Sequence, residues 1–160
     1  MPRLLITGVS GFLGWNLFRS LRDRFEVVGT YSAHPPPAEG GRFLRLDLRD
    51  PMATEKSILE IAPNIVIHAA ALTSPALCMA DRFLAWETNV LGTVNIARMA
   101  RKINARLLYI STDRVFDGKR SWYTEDDPPA PLGYYETTKL AGEEQVRAIV
   151  PNALIVRLPL

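Results

Sequence analysis

The sequence predicts a single α/β domain built on a parallel sheet, and three observations carry that reading. Short β-branched or leucine-rich runs alternate with longer helical patterns along the whole chain, as in stacked βαβ units. Several of the short runs are unbroken apolar stretches, as expected of strands covered on both faces by crossover helices. The 160 residues contain no repeat and no break in composition that would mark a linker, so one domain is expected.

Six runs read as strands, in order Leu4–Ile6, Glu26–Thr30, Phe43–Leu46, Ile65–Ile67, Leu107–Ile110 and Leu154–Val156. Between the first two, Leu13, Leu17 and Leu21 recur at four-residue spacing with Phe18 beside them, which gives a helix one apolar stripe. Asp50-Pro51 reads as an N-cap followed by proline at the first helical position, opening a helix toward Ile61. A long helical pattern runs from Ala80 to Lys102, and a last helix from Tyr135 to Val150 follows a proline-rich loop. Pro35-Pro36-Pro37, between two strands, reads as a stiff surface loop.

Composition excludes several classes of function. Lys+Arg 19 against Asp+Glu 17 leaves a net charge of +2, which supplies no basic patch for a nucleic acid. With 48% hydrophobic and 22% charged residues, the chain is an ordinary globule and not a disordered one. Cys78 stands alone, so no internal disulfide forms, and Met1-Pro2-Arg3 leads into too few apolar residues for a signal peptide, so the cytoplasm is the expected compartment. The longest weakly polar run, Asn64 to Met79, is interrupted by His68, Thr73, Ser74 and Pro75 and is too short to span a bilayer.

Chemistry begins at Gly8-Val9-Ser10-Gly11-Phe12-Leu13-Gly14, where the first strand gives way to the first helix. Gly8 allows a tight turn, Gly11 leaves room for a pyrophosphate against the backbone, and Gly14 lets the helix pack close to the strand. The spacing differs by one inserted residue from the G-x-G-x-x-G dinucleotide fingerprint, and no Lys-Ser or Lys-Thr follows to make it a P-loop. The second strand ends Gly29-Thr30-Tyr31-Ser32, with no carboxylate before Glu39. An uncharged neighbourhood of Thr30, Tyr31, Ser32 and His34 tolerates a ribose 2′-phosphate better than an acid would, so NADP is expected over NAD. Asp47-Leu48, after the third strand, offers a carboxylate either to the adenine amine or to the turn before Asp50.

Tyr135 and Lys139 lie four apart and share a helix face. An ammonium beside a phenol lowers its pKa toward neutrality, so Tyr135 is expected to serve as a proton donor to a carbonyl receiving hydride, with Lys139 also holding the nicotinamide ribose. Ser111-Thr112-Asp113 follows the fifth strand at the carboxyl edge of the sheet, where open α/β folds place their sites. His68 reads as a packed, hydrogen-bonded residue and not a metal ligand, and Cys78 as a buried small hydrophobe; no metal is expected.

These segments, T-G-V-S-G-F-L-G from Thr7, H-A-A-A from His68, T-N-V-L-G-T from Thr88, S-T-D-R-V-F-D-G from Ser111 and Y-E-T-T-K-L-A-G-E from Tyr135, resemble the extended short-chain dehydrogenase/reductase family over the whole chain. S-T-D-x-V-F-D-G, Y-T-E-D-D-P-P-A-P-L from Tyr123 and T-K-L-A-G-E look most like the dTDP-4-dehydrorhamnose reductase branch, which also contains the regulatory subunit of methionine adenosyltransferase. The resemblance implies a Rossmann-type doubly wound sheet of six strands in the order 3-2-1-4-5-6. It also implies a Thr112, Tyr135 and Lys139 catalytic set. Cofactor positions follow at Gly8, Ser10, Gly11, Phe12, Leu13, Gly14, Ser32, Asp47, Leu48, Ala69, Ala70 and Ala71, with Tyr135 and Lys139 shared. Asn89 matches a motif position that either relays protons or ties its helix to the sheet.

The expected function is an NADP(H)-dependent reductase of a nucleotide-activated keto-sugar, with a sugar nucleotide as substrate and a homodimer as assembly. Two departures keep other readings open. After the fourth strand the reductase branch shows T-x-V-D and then a glutamate, whereas here Thr73 is followed by Ser74-Pro75-Ala76 and Met79, without either acid. Y-G-x-T-K becomes Tyr135-Glu136. A non-catalytic dinucleotide-binding regulatory module and an NAD-dependent sugar-nucleotide epimerase are the alternatives. The dehydratases' Thr-Asp-Glu is Thr112-Asp113-Arg114 here, which argues against dehydration. The end at Arg157-Leu158-Pro159-Leu160 falls where family members continue into the segment that closes over the sugar nucleotide, so residues 1–160 are expected to form the cofactor domain, with the substrate segment absent.

Overall fold

A computed structural model describes residues 1–37 and 40–159; Glu39 and Leu160, named above, lie outside the described residues. In chain order the elements are β1 (Arg3–Thr7), α1 (Phe12–Leu21), β2 (Glu26–Tyr31), β3 (Arg42–Arg45), α2 (Pro51–Ile61), β4 (Ile65–His68), α3 (Pro75–Ala80) and α4 (Arg82–Trp86). A π turn (Glu87–Leu91) leads into α5 (Gly92–Lys102), then β5 (Arg106–Thr112), a 3₁₀ turn (Asp113–Val115), α6 (Tyr134–Ile149) and β6 (Leu154–Leu158). The six strands form one all-parallel sheet in the order β3-β2-β1-β4-β5-β6, the expected doubly wound arrangement.

The apolar strands are explained by cores on both faces. Along β1, Leu4 and Ile6 join Phe18 of α1 on one side, while Leu5 joins Ile58 of α2 and Ile96 of α5 on the other. The Asp50 carboxylate caps α2 as expected, accepting the Met52 and Ala53 amides at 3.0 Å.

The helix expected from Ala80 to Lys102 runs unbroken from Arg82 to Lys102, with the π turn inside it. A helix already begins at Pro75, capped by Ser74, and the Asp81 carboxylate restarts the chain by accepting the Leu84 amide at 2.9 Å. Further on, the Gly92 amide reaches the Glu87 carbonyl, five residues back. Asn89, in that π turn, donates to the Leu72 carbonyl and to Thr138 and accepts the Leu72 amide at 2.7 Å. It ties the turn to the segment after β4 and to α6. Among the described residues, no helix is long and apolar enough to cross a membrane.

Candidate functional site

Register places the site. Thr7 ends β1 opposite Thr30 of β2 and His68 of β4, and β5 continues beyond the Tyr109–His68 pair by Ile110, Ser111 and Thr112. The strand order reverses between β1 and β4, so their carboxyl ends open a crevice there. A cleft of about 970 Å³ occupies it. The catalytic and cofactor positions implied by the resemblance all line this cleft: Gly8, Ser10 to Gly14, Ser32, Asp47, Leu48, Ala69 to Ala71, Thr112, Tyr135 and Lys139.

The floor is the glycine turn. Gly8 adopts φ +72°, and a Cβ there would lie 2.7 Å from the Ala70 Cα. A Cβ on Gly14 would collide with the Gly8 carbonyl and stand 2.8 Å from the Val9 Cα, so the helix meets the turn backbone to backbone. Gly11 is the N-cap of α1 and provides no side-chain cap. The first-turn amides of α1 are therefore left for an anion, and no side chain fills the space before them. The cradle fits a dinucleotide pyrophosphate.

His68 underpins the turn. The Thr93 hydroxyl donates to the Asn89 carbonyl at 2.7 Å, so at 3.0 Å from His68 Nε2 it must accept. His68 Nδ1 is then the acceptor for the Thr7 hydroxyl at 2.6 Å, and Thr7 in turn accepts the Ala70 amide. Complete burial pushes His68 down to about 3, so the ring stays neutral and the two hydroxyls fix its tautomer. Cys78 is buried and donates to the Leu72 carbonyl at 3.3 Å, and burial pushes its thiol up. Both residues are packed, as their sequence context implied. Among the described residues, no group of three His, Cys, Asp or Glu side chains could hold a metal ion.

At the far end lie Thr112, Tyr135 and Lys139. The Thr112 hydroxyl caps the 3₁₀ turn, accepting the Arg114 amide at 3.2 Å. Lys139 is buried; its Nζ donates to the Ile110 carbonyl at 2.8 Å and stands 4.2 Å above the Tyr109 ring. Burial lowers its pKa to about 7. The expected lowering of the tyrosine does not occur in this geometry. Burial pushes the Tyr135 phenol up, and the nearby Cys78 and Glu136 push it the same way against the smaller pull of Arg114. Desolvation is thus the larger effect on the phenol.

At the opposite end, the Asp47 carboxylate accepts the Arg49 amide at 3.0 Å and a two-pronged ion pair from the Arg49 guanidinium, with Nη2 at 2.6 Å. It braces the turn while also lining the cleft. Arg49 itself lines the cleft and escaped the sequence reading, although its place two residues after Asp47 at the sheet edge was a usable signal. His34 is exposed and absent from the cleft wall. Arg114 and Thr88 line it without having been assigned there.

Comparison with known proteins gives a consistent relationship. The RmlD substrate binding domain matches residues 2–160. The β subunit of methionine adenosyltransferase 2 from Xenopus laevis is 35% identical over 158 residues, which are 98% of this chain and 46% of that protein. The crystal structure of a hypothetical dTDP-4-dehydrorhamnose reductase from Sulfolobus tokodaii superposes with a TM-score of 0.88 at 37% identity, over 97% of this chain and 55% of that one. A dTDP-4-dehydrorhamnose reductase from Bacillus anthracis, solved in complex with NADP, gives 0.85 at 33% identity, over 98% and 53%. The chain thus spans about half the length of the relatives it matches.

Proposed function

Because this chain belongs to the RmlD substrate-binding domain family, we propose that it is an NADP(H)-dependent reductase of a nucleotide-activated keto-sugar. In this reading residues 1–160 form the dinucleotide-binding domain and carry the catalytic residues. The observation that carries it is convergence: the uncapped glycine turn, Thr112, Tyr135 and Lys139, far apart in sequence, line one cleft. A bound NADPH supplies hydride. Gly8, Gly11 and Gly14 leave room for the pyrophosphate against the α1 amides, and Ser32 stands where the ribose 2′ substituent is read. Tyr135 donates the proton that a carbonyl oxygen needs, Thr112 steadies that oxygen, and Lys139 anchors the ribose. NADPH oxidation with a panel of keto-sugar nucleotides tests the reading, with Tyr135→Phe as control. Robust oxidation that depends on Tyr135 supports it.

The second reading is a dinucleotide-binding regulatory module without turnover. Two observations favour it: the similarity to the methionine adenosyltransferase β subunit, and a Tyr135 phenol held up by burial. NADPH binding without oxidation across the same panel would select it.

A further inference from the structure

We propose that Arg114 is a specificity-determining residue that donates hydrogen bonds to uncharged hydroxyls of the sugar ring beside the reacting carbonyl, and that Glu136 is the positioning residue that holds it there as a neutral pair. The inference rests on the nucleotide-sugar reading above. Its starting point is that Arg114, which stands where the dehydratases carry glutamate, and Glu136, which follows Tyr135 in place of the branch's glycine, meet in space as a direct ion pair.

The two partners are differently placed. The Glu136 side chain is 4% exposed and neither of its carboxylate oxygens has a hydrogen bond, so Arg114 is what compensates its buried charge. The carboxylate fills the space beside Gly133, where any Cβ would strike it. The Arg114 side chain is 50% exposed and lines both the main cleft and an adjoining cavity of about 400 Å³ that Glu136 also borders. One arm of the guanidinium is held by Glu136. Its remaining donors have no hydrogen bond among the described residues and stand at the boundary between the two cavities, beside the Thr112 and Tyr135 that would hold the carbonyl oxygen.

The charge balance selects the ligand. A ring carboxylate bound to this guanidinium would share it with the fixed Glu136 carboxylate, leaving one negative charge buried and uncompensated. A hydroxyl accepts the same donors with no added charge. Glu136 is thus the repulsive element against uronate-type sugars, and Arg114 the attractive one toward neutral ones.

Calorimetric titration of dTDP-glucose and dTDP-glucuronate into the NADPH-loaded chain tests this, with NADPH binding as the check that each variant is folded. The wild type should bind dTDP-glucose at least about tenfold tighter than dTDP-glucuronate. Arg114→Ala should weaken dTDP-glucose about tenfold, with partial recovery in Arg114→Lys. Glu136→Gln frees the guanidinium charge and should narrow or reverse the preference. Unchanged dTDP-glucose affinity in Arg114→Ala, or an unchanged ratio in Glu136→Gln, overturns the inference while leaving the proposed function intact. If no NADPH-loaded form binds either compound, the nucleotide-sugar reading itself fails, and this inference with it.

Discussion

The Lys139 ammonium nitrogen lies 2.8 Å from the Ile110 carbonyl oxygen, buried between α6 and β5, and that burial gives the fold a particular pH dependence. Lys139 titrates near 7 in the folded chain and near its ordinary 10.5 when unfolded. Between those values the unfolded chain holds a proton that the folded chain has released, so stability rises with pH and is lost again as pH falls to about 7. Denaturant midpoints should therefore climb from pH 7 to 8.5, and Lys139→Met should flatten that slope. The range ends below pH 9, because the Cys78 thiol and, higher still, the Tyr109 and Tyr135 phenols, all pushed up by burial, act in the opposite sense. A wild-type midpoint that is flat or falling from pH 7 to 8.5 would contradict the placement of Lys139.

Tyr135→Phe removes the proton donor and leaves the ring in the small apolar cluster with Cys78 and Ala85. Turnover of a keto-sugar nucleotide should fall by about 10²–10⁴-fold while NADPH affinity barely moves. Steady-state kinetics and a fluorescence titration separate the two effects. Equal turnover in the mutant would remove Tyr135 from the mechanism.

The residues that the sequence brought to attention are those whose spacing is local. Strand runs, the Asp50 cap and the glycine turn each follow from a few adjacent residues, and each is present in the structure. What escaped depends on partners distant in sequence. The π turn is fixed by Asn89 reaching back to Leu72. Lys139 is buried against Ile110 and Tyr109 on β5, and helical spacing alone could not show that burial would hold the Tyr135 phenol high. Arg114 and Glu136 each looked like an isolated departure from a motif, because only the fold brings the β5 end and the start of α6 together.

Cofactor choice should follow the end of β2. Thr30, Tyr31 and Ser32 line the cleft without a carboxylate, and the Arg49 guanidinium lies on the same wall. NADPH should bind tighter than NADH, and Ser32→Asp, which sets a negative charge against the 2′-phosphate, should reverse the order. Titration of both dinucleotides against both proteins measures it. A tenfold wild-type preference for NADH, about 1.4 kcal/mol, would refute the reading of this strand end.

Two glycines of the same turn should fail in different ways. A Cβ on Gly14 meets only backbone, the Gly8 carbonyl and the Val9 Cα, none of which can swing aside. Gly14→Ala should therefore destabilise the fold by about 1–3 kcal/mol, the usual cost of overpacking a tight contact. A Cβ on Gly11 would stand 3.4 Å from the Gly8 carbonyl oxygen, an ordinary contact, and the φ of −76° suits alanine. Gly11→Ala should cost the free chain less than about 1 kcal/mol, yet it fills the space before the α1 amides that a pyrophosphate would occupy. Urea denaturation and NADPH titration of the two variants should thus give opposite rankings: Gly14→Ala the less stable, Gly11→Ala folded but weak in binding. If Gly11→Ala binds NADPH as tightly as the wild type, the pyrophosphate does not sit at the start of α1.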